Sequence, residues 1–252
     1  MQKKPNYGFP LSYILPGFLF YLTILLILFA LIALNVSVYI TIIISCLVFI
    51  LIIVQLFHFK KQFLKKRFKV LDKIINSSEL KGGENVLDLG TGSGFIAIGF
   101  AKQLSSGKVY GLDKYSIKND HFTTRIKNMI KINFIGNTLT NANINSKIEK
   151  VENKCKFVQT DVVKPLDFSD NFFDVVISSQ FVYCISRKKR KKVFEEINRV
   201  LKKGGKIIFF ESRSFINWDI YEAKNFFIKK GYNLQLLKSD EFKTCCLLIG
   251  KK

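Results

Sequence analysis

Two hydrophobic patterns divide this chain. From Pro5 to Phe59 apolar residues run almost without interruption, and no Asp, Glu, Lys or Arg occurs. From about Phe68 onward, short apolar runs alternate with helix-like stretches and polar turns. A membrane-spanning helix needs roughly 20 apolar residues, so the first pattern has room for two. Asn35-Val36-Ser37 is its least apolar interruption and predicts a hairpin tip between helices near Leu11–Leu34 and Val38–Phe57. Pro16-Gly17 predicts a kink in the first, which a membrane helix tolerates. A cleaved signal peptide has an apolar core of about 7–15 residues, far shorter than this run. A buried helical pair in a soluble core is the competing arrangement. It would hide more uncharged surface than a small domain can.

The second pattern predicts strands at Asn85–Leu89, Lys108–Leu112, Cys155–Gln159, Phe173–Ser178, Lys206–Phe210, Asn233–Leu237 and Thr244–Gly250. Helical segments fall between the first five, near Phe95–Leu104, Thr138–Lys147 and Lys189–Leu201. Such alternation predicts an α/β fold with a parallel sheet covered on both faces. Only Lys238–Lys243 separates the last two strands, too little for a helical crossover, so they are expected to pair antiparallel. Lys114–Phe134 is long and polar without clean periodicity, which suggests a lid or an irregular insertion. The domain division expected is a transmembrane hairpin over 1–59, a basic juxtamembrane linker and first helix over 60–80, and a catalytic domain over 81–252.

Charge adds orientation. Lys3 and Lys4 precede the apolar run, and Lys60, Lys61, Lys65, Lys66, Arg67 and Lys69 follow it. Both ends, and the domain beyond, are therefore expected on the cytoplasmic side. The net charge of +21 implies an anionic partner such as a lipid surface, nucleic acid or an acidic substrate. The basic stretch after the hairpin either signals topology alone or lies against anionic headgroups, where each cation contributes about 1 kcal/mol. The run Arg187-Lys188-Lys189-Arg190-Lys191-Lys192 reads as a solvated helix face, a headgroup contact or an RNA contact. Beside a membrane anchor, lipid outranks nucleic acid. Five cysteines without a CxxC spacing suggest reduced thiols. With two histidines in the chain, no metal site is expected.

The chemistry concentrates at strand ends. Val86-Leu87-Asp88-Leu89 runs into Gly90-Thr91-Gly92-Ser93-Gly94 and then a helix from Phe95. Glycines admit a ligand close to the backbone, and the helix start offers free N–H groups to its polar end. The spacing is G-x-G-x-G, whereas a dinucleotide turn wants G-x-G-x-x-G. Asp88 before the turn suggests a ligand with a positively charged amino-acid end. Asp113 ends the next strand, where an acid accepts ribose hydroxyls. Asp161 follows the third strand. It suits an adenine amine, with Val162 covering the ring, or equally a helix N-cap. Phe173–Gln180 and the Lys202-Lys203-Gly204-Gly205 turn before a buried strand complete the set.

These elements in this order resemble the class I S-adenosylmethionine-dependent methyltransferases, over about Phe68 to Lys252. The resemblance implies a Rossmann-like seven-stranded sheet with an antiparallel last strand and S-adenosyl-L-methionine as cofactor. It also implies roles: Asp88, Gly90, Thr91, Gly92 and Gly94 hold the methionine part, Asp113 the ribose, and Asp161 with Val162 the adenine. Ser178 and Ser179 then lie beside the sulfonium methyl. A membrane-associated group in the family joins an apolar hairpin to an "LDLGTGxG" turn and a G-N-x-x-x-T/A-x-x-N segment. Gly136-Asn137-Thr138-Leu139-Thr140-Asn141-Ala142-Asn143 and Asp174–Ser179 are similar to that group. Its members carry His after the Ser-Ser pair where this chain has Tyr183.

Tyr183 and Glu211 closely follow central strands and are the candidate catalytic residues, either as bases or as a pocket wall and a helix-capping or ion-pairing acid. No N/D-P-P-Y/F, Pro-Cys or carboxylate cluster follows the fourth strand. Base-amine, cytosine C5 and catechol-type chemistry are therefore not expected. The function expected is a membrane-anchored methyltransferase acting on a lipid or hydrophobic small molecule. Alternatives are a tethered methyltransferase of protein or RNA, and a non-catalytic cofactor-binding adaptor. Residues 1–59 are expected to be dispensable for cofactor binding.

Overall fold

The computed structural model describes residues 4–7, 21, 22, 24, 26, 29, 30, 37–115, 138–215 and 217–252. The chain divides into two compact units, Phe9–Phe68 and Met1–Gly8 with Lys69–Lys252.

The first unit is dominated by helix α1 (Val38–Ser78), which continues into the second. No Gly or Pro lies between Val38 and Lys81, so nothing breaks the helix where a linker is expected to begin. Its segment Ile42–Ser78 has a mean hydropathy of 2.8 in its most apolar window, none of it buried. Tyr39, Leu47, Phe49, Leu51 and Phe57 all expose their side chains. Among the described residues this is the one helix long and apolar enough to cross a membrane. The expected first span, Leu11–Leu34, lies largely outside the described residues. Tyr21, Leu22, Ile24, Leu26, Phe29 and Ala30 within it are helical.

The second unit is built on a seven-stranded sheet. Its strands are β1 (Asn85–Leu89), β2 (Lys108–Asp113), β3 (Cys155–Gln159), β4 (Phe173–Ser179), β5 (Leu201–Ser212), β8 (Asn233–Lys238) and β9 (Cys245–Lys251). Their order is β3-β2-β1-β4-β5-β9-β8. The first five are parallel, whereas β9 runs antiparallel to both β5 and β8. This is the terminal hairpin that the short Lys238–Lys243 connection requires. A separate two-stranded ladder, β6 (Ser214–Phe215) with β7 (Trp218–Asp219), follows β5.

Helices α2 (Phe95–Gln103), α3 (Leu139–Ile148), α4 (Arg187–Val200) and α5 (Ile220–Lys229) accompany the sheet. Two cores result, one on each face. Val193, Phe194 and Ile197 of α4 and Phe227 of α5 pack with Leu87, Val176 and Phe209. Val70, Leu71 and Ile74 of α1 join α2 against Val86, Val175, Ile208 and Phe210. Each fully buried Phe or Leu contributes about 1.5–3 kcal/mol. Gly99 in mid-α2 is explained by this packing, because a Cβ there would stand 2.7 Å from Leu71 Cδ1.

No element is expected from the sequence between Phe210 and Asn233, yet α5 forms there. Its signal is Asp219 with Glu222 ahead of the buried stripe Ile220, Ala223 and Phe227; Asp219 accepts from Tyr221 N at 2.9 Å. The Gly-Gly turn expected before β5 is instead a bulge inside it. Leu201 pairs with Phe173 and Lys206 with Val175, while Gly204 N donates to Lys252 O at 2.9 Å. The basic run also needs correction, because Arg190 is buried. Its guanidinium donates to Ile185 O, Asn217 O and Glu222 and lies 5.0 Å from the Trp218 ring. Arg187, Lys188, Lys189, Lys191 and Lys192 stay exposed.

Candidate active site

In sheets of this winding, ligands sit outside the carboxyl ends of the parallel strands. Strand register brings the acids found in the sequence to that edge. Asp88 aligns with Gly111, one residue pair before the edge, and Asp113 aligns with Gln159, just ahead of Asp161. Ser178 aligns with Phe209, two residues before Glu211.

The turn after β1 is held from two sides. Gly90 N and Thr91 N donate to Leu112 O at 2.8 and 3.1 Å. Gly92 N donates to Asp113 Oδ2 at 2.9 Å. Gly90, Gly92 and Gly94 have φ of 74°, 53° and 82°, the left-handed region that glycine adopts without penalty. A Cβ at Gly90 would lie 2.1 Å from the Phe181 ring, so the close approach also demands glycine.

Three buried side-chain atoms among the described residues lack a hydrogen-bond partner: Asp88 Oδ2, Thr91 Oγ1 and Tyr115 Oη. All three belong to the turn or to the segments beside it. A buried polar atom left unpaired costs about 1–3 kcal/mol, so their grouping marks a place that a polar ligand completes. Burial pushes the Asp88 carboxyl up to about 7, with the Ala97 N–H pulling it back and the Asp113 charge adding to the rise. An ammonium group arriving there would restore the charged form. Tyr115 is raised as well, by burial first and then by the Asp113 and Asp88 charges.

Asp113 accepts from Gly92 N and from Tyr115 N, at 2.9 and 3.0 Å. A carboxylate offers about four lone-pair sites, so two hydroxyls still fit. Asp161 accepts from Lys114 Nζ at 3.0 Å and from Val163 N at 3.2 Å. The Lys114 hydrogen bond holds its carboxyl below the usual range. Val162 is buried in the main core. The expected lid lies outside the described residues except for Lys114 and Tyr115, and Gly136-Asn137 lies outside them too.

At the tips of β4 and β5, Glu211 is fully buried. Ser178 Oγ donates to its Oε1 at 2.7 Å, and the N–H groups of Phe181 and Val182 donate at 3.1 Å. Burial pushes this carboxyl up to about 7 against those hydrogen bonds. The Ser178 hydroxyl is thereby committed to Glu211. Tyr183 is half-buried, with its ring edge-on to Phe215 at 5.3 Å. Burial is the main cause that raises its hydroxyl. Gln180 has a positive φ of 55°, and its amide donates to Phe210 O at 3.3 Å. Among the described residues no group of three or more His, Cys, Asp and Glu is arranged to hold a metal.

Residues 87–209 match a protein family described as a methyltransferase domain. The chain carries a class I S-adenosylmethionine-dependent methyltransferase domain. Its cofactor is S-adenosyl-L-methionine. The methyltransferase domain is similar to solved structures at the level of fold. One is a SAM-dependent methyltransferase from Aquifex aeolicus, 18% identical, with 72% of this chain and 88% of that chain covered and a TM-score of 0.54. Another is the [4+2]-cyclase SpnF, 15% identical, covering 73% and 80%, with a TM-score of 0.55. Among curated proteins, the ubiquinone/menaquinone biosynthesis C-methyltransferase UbiE of Bdellovibrio bacteriovorus is 30% identical over 55% of this chain and 48% of its own length. "Probable methyltransferase ltbC" of Aspergillus luteorubrus is 28% identical over 50% of this chain and 39% of its own. The chain thus spans half or less of the curated relatives it matches.

The open acceptor positions suit two parts of the cofactor, while Asp161 is already paired with Lys114 and Val163. Asp88 and the glycine turn fit the amino-acid end, and Asp113 fits the ribose. From the sequence neither Tyr115 nor Gln180 has a role of its own, although Gln180 closes the Phe173–Gln180 element. Their one signal was position, two residues after a strand-end acid and directly after a strand-end Ser-Ser pair. Their positive φ values, 47° and 55°, come from the tertiary fold.

Proposed function

We propose that this chain is a membrane-anchored methyltransferase acting on a lipid or hydrophobic small molecule, through an apolar hairpin with both flanks cytoplasmic. One observation carries the reading: both flanks of the uncharged segment join the methyltransferase domain near the carboxyl ends of its parallel strands. On one flank, Asn6 pairs with Asn145, which also reaches Ser93 of the glycine turn. On the other, Lys73 bonds Asp240 and Glu241 in the β8–β9 connection, at 3.3 and 3.0 Å. A segment that leaves and returns at one edge crosses a bilayer an even number of times. The apolar part of α1, Val38–Phe57, would supply one crossing, and the apolar sequence before Asn35 is long enough for the other. The exposed cations Arg187, Lys188, Lys189, Lys191 and Lys192 open α4, which follows β4 at the same edge. Cations at a helix start oppose its dipole, so an anionic surface facing them favours the arrangement. The name of the Bdellovibrio relative places it in ubiquinone/menaquinone biosynthesis, which agrees with a hydrophobic acceptor.

The cofactor, when bound, supplies an activated methyl group. The chain supplies alignment: Asp88 with the glycine turn, Asp113, and Asp161 beside Val162 hold three parts of one ligand in fixed register. Glu211 positions the Phe181–Tyr183 turn. Tyr183 walls the acceptor side and keeps its proton at neutral pH, because burial opposes the phenolate. Tyr183→Phe is therefore expected to hold kcat within about fivefold. Loss beyond a hundredfold, the range of general-base catalysis, would show that Tyr183 moves a proton.

The acceptor class is tested with full-length protein in detergent, methyl-labelled cofactor, and total lipid, protein and RNA fractions. Label is expected in lipid. Label in protein or RNA overturns the acceptor. Cofactor binding without transfer to any fraction identifies an adaptor, an outcome in keeping with a fold that also serves a cyclase.

A further inference from the structure

The start of the uncharged segment, Asn6-Tyr7, is tied into the glycine turn through one buried amide. Asn145, on α3, is 1% exposed. Its Oδ1 accepts from Asn6 N at 2.8 Å, and its Nδ2 donates to Asn6 O at 2.8 Å and to Ser93 O at 2.9 Å. Donor and acceptor side by side match a backbone N–H and C=O as a neighbouring strand would, and the second amide hydrogen remains for the turn. Next to it, the Tyr7 ring stands edge-on to Phe95, the first residue of α2, at 5.0 Å. Tyr7 Oη donates to Glu149 Oε1 at 2.9 Å, and Lys102 of α2 pairs with the same carboxylate at 2.6 Å.

The Ser93 carbonyl is a telling anchor point. It belongs to the peptide unit entering Gly94, whose N–H donates to Thr91 O at 2.9 Å. Gly92 and Gly94 bracket Ser93, and both have positive φ. Glycines on either side of a residue leave the backbone there with many alternatives, so the turn needs outside help to keep one shape. Asn145 fixes the carbonyl side of this unit while Thr91 fixes the N–H side.

We propose that Asn6 and Tyr7 form a strap that holds the glycine turn in its cofactor-binding shape, with Asn145 as the positioning residue between them. This rests on the glycine turn being the cofactor site. The strap precedes the expected first span, Leu11–Leu34, in sequence, so the membrane-directed part of the chain and the cofactor turn share one element. It also changes the expectation that residues 1–59 are dispensable: trimming them removes the strap, and the trimmed domain binds cofactor more weakly.

The test uses full-length protein in detergent, with S-adenosyl-L-methionine affinity by calorimetry and amide hydrogen exchange over Gly90–Ile98. Asn145→Ala is expected to raise Kd roughly tenfold, the effect of about one net hydrogen bond. Tyr7→Ala, at a partly exposed site that leaves the core intact, is expected to raise it roughly threefold. Both are expected to speed exchange over the turn. The double variant is expected to be no weaker than Asn145→Ala alone, since both act through one strap. Wild-type Kd in both variants overturns the proposal, whether or not exchange changes. Failure of the unaltered chain to bind the cofactor counts instead against the reading of the site.

Discussion

Asp113→Ala is expected to weaken S-adenosyl-L-methionine binding by a hundredfold or more. Two effects combine. The carboxylate is the acceptor expected for the ribose hydroxyls, and it also holds Gly92 N and Tyr115 N at 2.9 and 3.0 Å. Hydrogen bonds to a charged group contribute about 1.5–3 kcal/mol each, so losing two of them alone spans roughly two to four orders of magnitude. Asp113→Asn keeps one carbonyl acceptor and the side-chain shape, and should fall between, near tenfold. Calorimetry on the detergent-solubilised chain distinguishes the three proteins. Binding by the Ala variant within threefold of the native chain would remove Asp113 from the site.

Glu211→Ala should destabilise the methyltransferase domain by about 3–5 kcal/mol, read as a large drop in melting temperature. The Ser178 hydroxyl and the N–H groups of Phe181 and Val182 would be left without their acceptor in the core. The turn carrying Tyr183 would then lose its anchor. The same carboxyl makes stability depend on pH. Its folded value is about 7, above the ordinary 4.5, so the folded state favours the protonated form. The resulting stabilisation is full below pH 4.5 and disappears as pH rises through 7, amounting to a few kcal/mol at most. Asp88, raised from 3.8 to about 7, acts in the same direction. Unfolding free energy should therefore decline between pH 5 and pH 8. Glu211→Gln, which cannot ionise, should flatten that decline while Asp88 preserves part of it. An unchanged slope in Glu211→Gln would mean that this carboxyl is already ionised across the range.

Much of this was legible in the chain before folding, for local reasons. β1 and β3 fall where the residue pattern predicts them: Val86, Leu87 and Leu89 mark β1 as a buried central strand, whereas Phe157 and Val158 mark β3 although it lies at the sheet edge without a buried residue. The glycine turn was legible because positive φ three times within five residues leaves few alternatives to glycine. The terminal hairpin followed from the length of one connection. Helix α5 escaped because its ten residues carry a short stripe whose meaning depends on the face that covers it. Arg190 escaped because five neighbours of like charge suggest solvent, whereas Trp218 and Glu222 reach it only after the chain has turned through β6 and β7.

By itself, the order of residues determined that an uncharged segment long enough for membrane helices precedes an α/β domain. It also determined that acids and glycines stand at strand ends in the order a methyltransferase uses. Both are properties of neighbours along the chain, where periodicity and backbone preference act. Tertiary structure alone decided which polar groups answer one another: Glu211 with the turn after β4, and Asn145 with both Asn6 and Ser93. Those pairs are separated by 30, 139 and 52 positions, and hydrogen bonds over such distances exist only once packing has excluded water from between them.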